Sequence, residues 1–194
     1  MGLKEQVYSV LIVSASQRFS VALSGFLPEA VYSPVVTAAS VSTAEQALAQ
    51  RAFDFVFVNL PLPDDSGIRF AVDSCRLGGT VTVLFAAADV HDGIYDRVAA
   101  RGVYTLRKPA SRASMLQALD WMITTRERLR GYEKKVQPIE RKMEEIRLVN
   151  RAKWLLISEL KMSEPDAHHY IECRAMDRCV SKRQAAEEII RLYS

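Results

Sequence analysis

The side chains best able to do chemistry gather where apolar runs end. In FDFVFVNLPLPDDSG, residues 53–67, alternating large apolar residues stop at Asn59, and a turn rich in proline, aspartate and glycine follows. A buried strand delivers a side chain in this way to the carboxyl edge of a sheet, where ligands and chemistry collect in α/β proteins. A carboxylate there would be a nucleophile or a metal ligand; the carboxamide of Asn59 is neither. Asp64 and Asp65 stand in the turn, where aspartates serve the local backbone and are expected to be solvated. A second run, VYTLRKP (103–109), ends on Lys108 and Pro109. Farther on, His169 and Cys173 are spaced i, i+4, but two ligands do not close a zinc site, and no metal centre is expected. The chain has no glycine-rich phosphate loop and no spacing that suggests a Ser/His/Asp set, so neither an enzyme nor a cofactor is expected.

The elements that position these residues alternate. VYSVLIV (7–13), SPVVTAAS (33–40), FDFVFV (53–58), GTVTVLFAA (79–87) and VYTLRKP read as strands, the first as a β-branched run buried on both sides. Helices are expected between them, over 20–27, 43–52 with Ser42 or Thr43 as N-cap, 67–77, and 90–102 closed by Gly102. Five strands interleaved with helices predict a doubly wound parallel sheet. From Ser111 onward the text is helical. Met115, Leu119 and Met122, then Tyr132, Val136, Ile139, Met143 and Ile146, step by fours and threes, as in a coiled-coil seam. A dimer through one long helix is therefore expected, with a kink near residue 137 imposed by Pro138. Ser163 and Ser181 cap two shorter helices, the latter in a box with Gln184. Leu155, Leu160, Ala167, Tyr170, Ile171, Ala175, Ala185, Ile189 and Ile190 are the expected core of this helical unit. The fold class is α/β plus all-α.

The net charge of +3 is uneven. Residues 1–125 hold 10 lysines and arginines against 11 acids, and residues 126–194 hold 16 against 12. The basic excess in the last third permits a polyanionic partner. Three cysteines make no disulfide framework, no apolar run reaches the roughly 18 residues of a membrane span, and MGLKEQ is no signal peptide; a cytoplasmic protein is expected.

These landmarks resemble the receiver domain of two-component response regulators. NLPLPDDSG stands where that family writes its phosphoacceptor aspartate and the turn after it, and RKP stands at its lysine–proline pair, whose peptide the resemblance implies to be cis. The resemblance implies an acidic pair that binds Mg²⁺, an acceptor aspartate, a hydroxyl and a lysine. Here those positions are Ser14 and Ala15, Asn59, Phe85 or Ala86, and Lys108. Only the lysine is kept, so a pseudo-receiver with a degenerate phosphorylation site is expected, with Lys108 bonded to the Asn59 amide oxygen.

The tail, NRAKWLLISELKMSEPDAHHYIECRAMDRCVSKRQAAEEII (150–190), resembles the ANTAR domain of bacterial transcription antiterminators. The matching landmarks are Arg151-Ala152-Lys153, Ser163 to Ala167, Arg174-Ala175-Met176 and Ala185-Ala186. The implied division is a pseudo-receiver over 1–122, a coiled-coil linker helix over 123–137, and a three-helix ANTAR domain over 138–194. The implied function is binding of tandem RNA hairpins in leader transcripts, with Arg151, Lys153, Arg174, Arg178, Lys182 and Arg183 as candidate contacts. Lys153 and Arg174 lead that set. Control by a regulatory protein partner is expected in place of phosphorylation. The alternative is a signalling scaffold that binds proteins and no RNA.

Overall fold

The computed structural model describes residues 6–193; the charged start, residues 1–5, lies outside them. Five strands, β1 (Tyr8–Val13), β2 (Tyr32–Ala38), β3 (Phe55–Asn59), β4 (Val81–Ala87) and β5 (Tyr104–Lys108), form one parallel sheet in the order β2-β1-β3-β4-β5. Helices α1 (Gln17–Ser24), α2 (Val41–Gln50), α3 (Ile68–Arg76) and α4 (Ala88–Val98) alternate with the strands. The expected doubly wound architecture is what forms.

Strand periodicity divides the core into two layers. Leu11, Val13, Val56, Val58, Leu84 and Ala86 face α2, α3 and α4. Tyr8, Ile12, Phe55, Phe57, Val83 and Phe85 face α1 and the start of α5 (Arg112–Leu160). Central strands buried on both faces need apolar residues at every position, which is why VYSVLIV and FVFV carry no polar face. Helix α2 starts earlier than expected: Ser40, not Ser42 or Thr43, is its N-cap. Its hydroxyl accepts from the Thr43 amide, and the Thr43 hydroxyl accepts from the Ser40 amide, a reciprocal pair available only from that position. Gly102 closes the α4 region with φ 85°, as read from the sequence.

Helix α5 runs as one element through Pro138, so the chain does not restart there. The chain forms two compact units divided between Gly131 and Tyr132, inside this helix. Met115, Leu119 and Met122 do not belong to a dimer seam. They are 6%, 4% and 0% exposed and lie in the core of the first unit, against its own sheet. The second apolar register, from Tyr132 to Ile146, is about half exposed.

In the second unit, α6 (Glu164–Asp177) and α7 (Lys182–Tyr193) pack with the end of α5. Ser163 accepts from the Asp166 amide, and Ser181 forms the expected box with Gln184. The core is Ala152, Leu156, Ala167, Ile171, Ala175, Ala185, Ala186 and Ile189. Leu160, expected inside, is 42% exposed, and Leu155 is only half-buried. The buried pair is Ala152 and Leu156, one turn apart, because five alanines in this core bring the helices close and favour the face of α5 that begins with one.

Candidate functional site

The carboxyl edge of the sheet brings Ser14, Asn59 and Lys108 together. Strands β1, β3 and β5 end there, and each supplies its last or next residue. The Lys108 ammonium donates to Asn59 Oδ1 at 2.9 Å and also to the Leu60 carbonyl. The Asn59 amide donates to Ser14 Oγ at 2.9 Å. Asn59 and Ser14 are each 6% exposed, and burial pushes the Lys108 ammonium below the ordinary lysine range. Lys108 therefore has the partner the sequence suggested, and its peptide to Pro109 is cis. Ala15 is exposed and contributes only a methyl group.

Phe85 and Ala86 lie wholly in the core, Phe85 against Phe19 with ring centroids 5.0 Å apart. In register, Lys108 pairs with Ala87. Phe85, Ala86 and Ala87 thus offer no hydroxyl at this edge. The residues present do not fit the magnesium ion that the receiver resemblance implies. Mg²⁺ takes charged oxygen ligands in near-octahedral array, and this set holds one cation and no carboxylate.

The two turn aspartates are exposed loop residues, as expected, but Asp64 also makes a longer-range contact. Asp64 accepts from the Val41 and Ser42 amides, each at 2.9 Å, and so ties the β3–α3 loop to the start of α2. These amide bonds hold its carboxyl below the usual carboxylate range. Asp65 keeps a local role and accepts from the Gly67 amide at 2.7 Å. Gly67 has φ 70°, and a Cβ there would come within 2.8 Å of Leu60, so the turn requires glycine.

The helical unit pairs most of its candidate cations with carboxylates. Lys153 pairs with Glu164 at 2.6 Å, Lys182 with Glu172 at 2.6 Å, and Arg178 with Glu188 at 2.7 Å. Arg183 reaches Glu187 at 2.9 Å and Glu144 at 3.0 Å. Arg174 donates to the Tyr170 hydroxyl at 3.0 Å, but its buried Nε lacks a hydrogen-bond partner, with Glu188 3.7 Å away. Five of the six candidates thus lie beside a carboxylate, and most of these pairs join α6 to α7 or to α5.

Arg151 is exposed, with no ion pair among the described residues. One turn before it stands Arg147, also exposed and without an ion pair among them; three residues after it stands Trp154, 72% exposed. Steps of four and three put the three side chains on one face of α5. The sequence reading passed over Arg147 and Trp154; the available signal was a large aromatic outside the Ala152/Leu156 register. Of the landmark residues of the resemblance, Ala152 and Ala175 are core, and Met176 is 66% exposed. His169 and Cys173 touch, at 3.3 Å, but no group of three metal-ligating side chains occurs among the described residues. No helix among them is long and apolar enough to cross a membrane.

The comparisons with known proteins divide along the same line. Residues 138–190 match the family model of the ANTAR domain. The transcriptional regulatory protein PdtaR of Mycobacterium tuberculosis is 26% identical over 181 residues, covering 93% of this chain and 88% of the relative. Among solved structures, the signal receiver domain of an HD domain-containing protein from Pseudomonas fluorescens superposes with a TM-score of 0.58 at 21% identity, over 68% of this chain and 96% of its own. A CheY-like response regulator receiver domain protein from Methanospirillum hungatei gives 0.55 at 16% identity, over 63% and 98%. The chain thus carries a segment that matches the ANTAR domain, residues 138–190, behind a unit with the receiver fold.

Proposed function

We propose that the chain is an RNA-binding transcription antiterminator that engages tandem hairpins in a leader transcript. It acts as a homodimer through the exposed register of α5, and contact with a regulatory protein replaces aspartate phosphorylation as its switch. The observation that carries the RNA reading is the ANTAR match over 138–190, whose first helix presents Arg147, Arg151 and Trp154 on one exposed face. Unpaired loop bases of RNA stack on aromatic rings, and arginines meet the phosphates beside them. The transcriptional role named for the mycobacterial relative supports the same level of action.

Trp154→Ala is expected to weaken binding of a tandem-hairpin RNA by roughly 1–3 kcal/mol, the usual effect of losing one base stack. Arg151→Glu should lower affinity and reduce the slope of log affinity against log salt by about one. Fluorescence anisotropy across a salt series measures both. Wild-type affinity in both variants would remove this face from the site, and a wild-type protein that binds no hairpin RNA would remove the function.

The carboxylate-free edge supports the second part of the proposal. A carboxamide does not attack a phosphoryl donor, and Lys108 is already engaged with Asn59 and Leu60. Incubation with acetyl phosphate and Mg²⁺ should leave the intact mass unchanged; the gain of one phosphoryl group would overturn that reading.

The ion pairs that occupy five of the six predicted cations favour a second reading, a signalling scaffold whose tail serves only to hold helices together. Protein partners recovered with no bound RNA would select it.

A further inference from the structure

The receiver-like unit carries a charged surface that neither the sheet edge nor the tail accounts for. Between α3 and the end of α4 runs an open groove of about 550 Å³. Arg69 and Arg76 line it from α3. Arg97 lines it from the last turn of α4, and Arg101 from the short 3-10 turn that follows. Asp73 is the one carboxylate among the lining residues, and Ser66 adds a hydroxyl. Asp73 stands between the two α3 arginines, 3.5 Å from Arg69 and 3.6 Å from Arg76, in exposed and therefore weak pairs, and its single charge is shared by two cations. Arg97 and Arg101 have no ion pair among the described residues. The lining thus holds four cations against one carboxylate, in a stretch, residues 1–125, that as a whole holds 10 basic against 11 acidic side chains.

We propose that this groove binds the phosphodiester backbone of RNA, as a contact separate from the ANTAR tail. The inference rests on the reading of the chain as an RNA binder. Arginine presents a planar fork of donors suited to phosphate oxygens. Arg97 and Arg101 are spaced i, i+4, about 6 Å along a helix, and Arg69 and Arg76 are spaced i, i+7, about 10 Å. Cations in rows on both walls of a groove follow a chain of phosphates. The lining holds no aromatic ring. Bases therefore have no ring to stack on, and the contact is to backbone and independent of sequence. A protein partner with an acidic surface would use the same charges, but the only apolar residues in the lining are Ile68 and Val72, with no aromatic anchor of the kind that centres protein interfaces. Arg76, Arg97 and Arg101 also stand in last helical turns, where positive charge suits the helix dipole, so the test includes charge-preserving variants.

The full chain is titrated, by anisotropy over a salt series, into two labelled probes: a tandem-hairpin RNA and an unstructured 12-nucleotide RNA. Arg97→Glu/Arg101→Glu is expected to weaken both roughly ten-fold at low salt and to lower the log–log salt slope by about two for the hairpins, at just under one per phosphate lost. Arg97→Lys/Arg101→Lys should keep most of the binding, and Trp154→Ala should spare the short RNA while weakening the hairpins. Unchanged affinity and slope in the double glutamate variant overturn the proposal, as does loss of a protein partner with RNA binding intact. Failure of wild type to bind hairpins, with groove-dependent binding of the short RNA, defeats the antiterminator reading and leaves the groove standing. Failure to bind either probe defeats both.

Discussion

Asp54→Ala is expected to destabilise the receiver-like unit by about 3–5 kcal/mol, the cost of leaving buried charge without its partner. Asp54 precedes β3, at the sheet edge opposite Asn59. Its Oδ1 accepts from Arg126 Nε at 2.7 Å and from Arg130 Nη2 at 3.3 Å, and its Oδ2 accepts from the amide and hydroxyl of Ser9 at 2.9 and 3.0 Å. Glu127 completes the cluster, accepting from Arg130 at 2.6 Å and from the Tyr8 hydroxyl at 2.9 Å. The Asp54 and Arg126 side chains are only 16% and 12% exposed, so this is not a surface ion pair. The cluster joins β1 and β3 to the last turns of α5 within the first unit.

Burial pushes the Asp54 carboxyl up, but the bonds from Arg126 and Ser9 outweigh it and hold the group below the usual carboxylate range. A depressed folded pKa gives stability that is present above the unfolded value, about 4, and is lost as pH falls through the folded value. Wild type should lose this contribution in that acid window, and Asp54→Asn should show a flatter acid limb. Urea unfolding followed by Trp121 fluorescence in a Trp154→Phe background isolates the first unit. A loss below about 1 kcal/mol for Asp54→Ala would place the cluster among ordinary surface pairs.

The second large effect concerns self-association. Val136, Ile139, Met143 and Ile146 are 46–60% exposed and spaced by threes and fours. The same apolar face on a second copy would cover them as a two-stranded seam. Ile139→Glu/Met143→Glu should convert the proposed dimer to monomer in sedimentation or light scattering. It should also cut affinity for a tandem-hairpin RNA by about 10²–10⁴, since two linked modules bind with a high effective concentration. Affinity for a single hairpin should not change. Exposed positions tolerate such changes within roughly 0.5 kcal/mol of monomer stability, so loss of folding does not confuse the result. A surviving dimer would overturn the seam, and an unaltered tandem affinity in a true monomer would overturn the use proposed for it.

Helix α5 shows where reading the sequence succeeds and where it stops. Met115, Leu119 and Met122 step in the same fours and threes as the residues from Tyr132 to Ile146. One set is buried against its own sheet and the other is half exposed. A helical apolar stripe states that a face avoids water; it does not state what covers it. Asp64 is similar. Its place in a turn was plain, but its bonds to Val41 and Ser42 cross 22 or 23 residues, and only the packed structure sets that distance.

What the sequence determined by itself is local in origin. Five strand-like runs, those of β1 and β3 apolar on both faces, alternate with helices, and that alternation makes the sheet parallel. The residue types at the strand tips, Ser14, Ala15, Asn59 and Lys108, settle that this edge holds an amide and an ammonium but no carboxylate. Tertiary structure decided how charges are shared. Glu164, Glu172 and Glu188 claim cations 10 to 14 residues away, leaving Arg147 and Arg151 beside an exposed Trp154. It also closed Asp54 onto arginines 72 and 76 residues distant and set four arginines around one groove. Hydrophobic period is written along the chain because each residue is buried or exposed through its own helix or strand. Ion pairs act over a few ångströms between side chains far apart in sequence, and those distances exist only after the elements have packed.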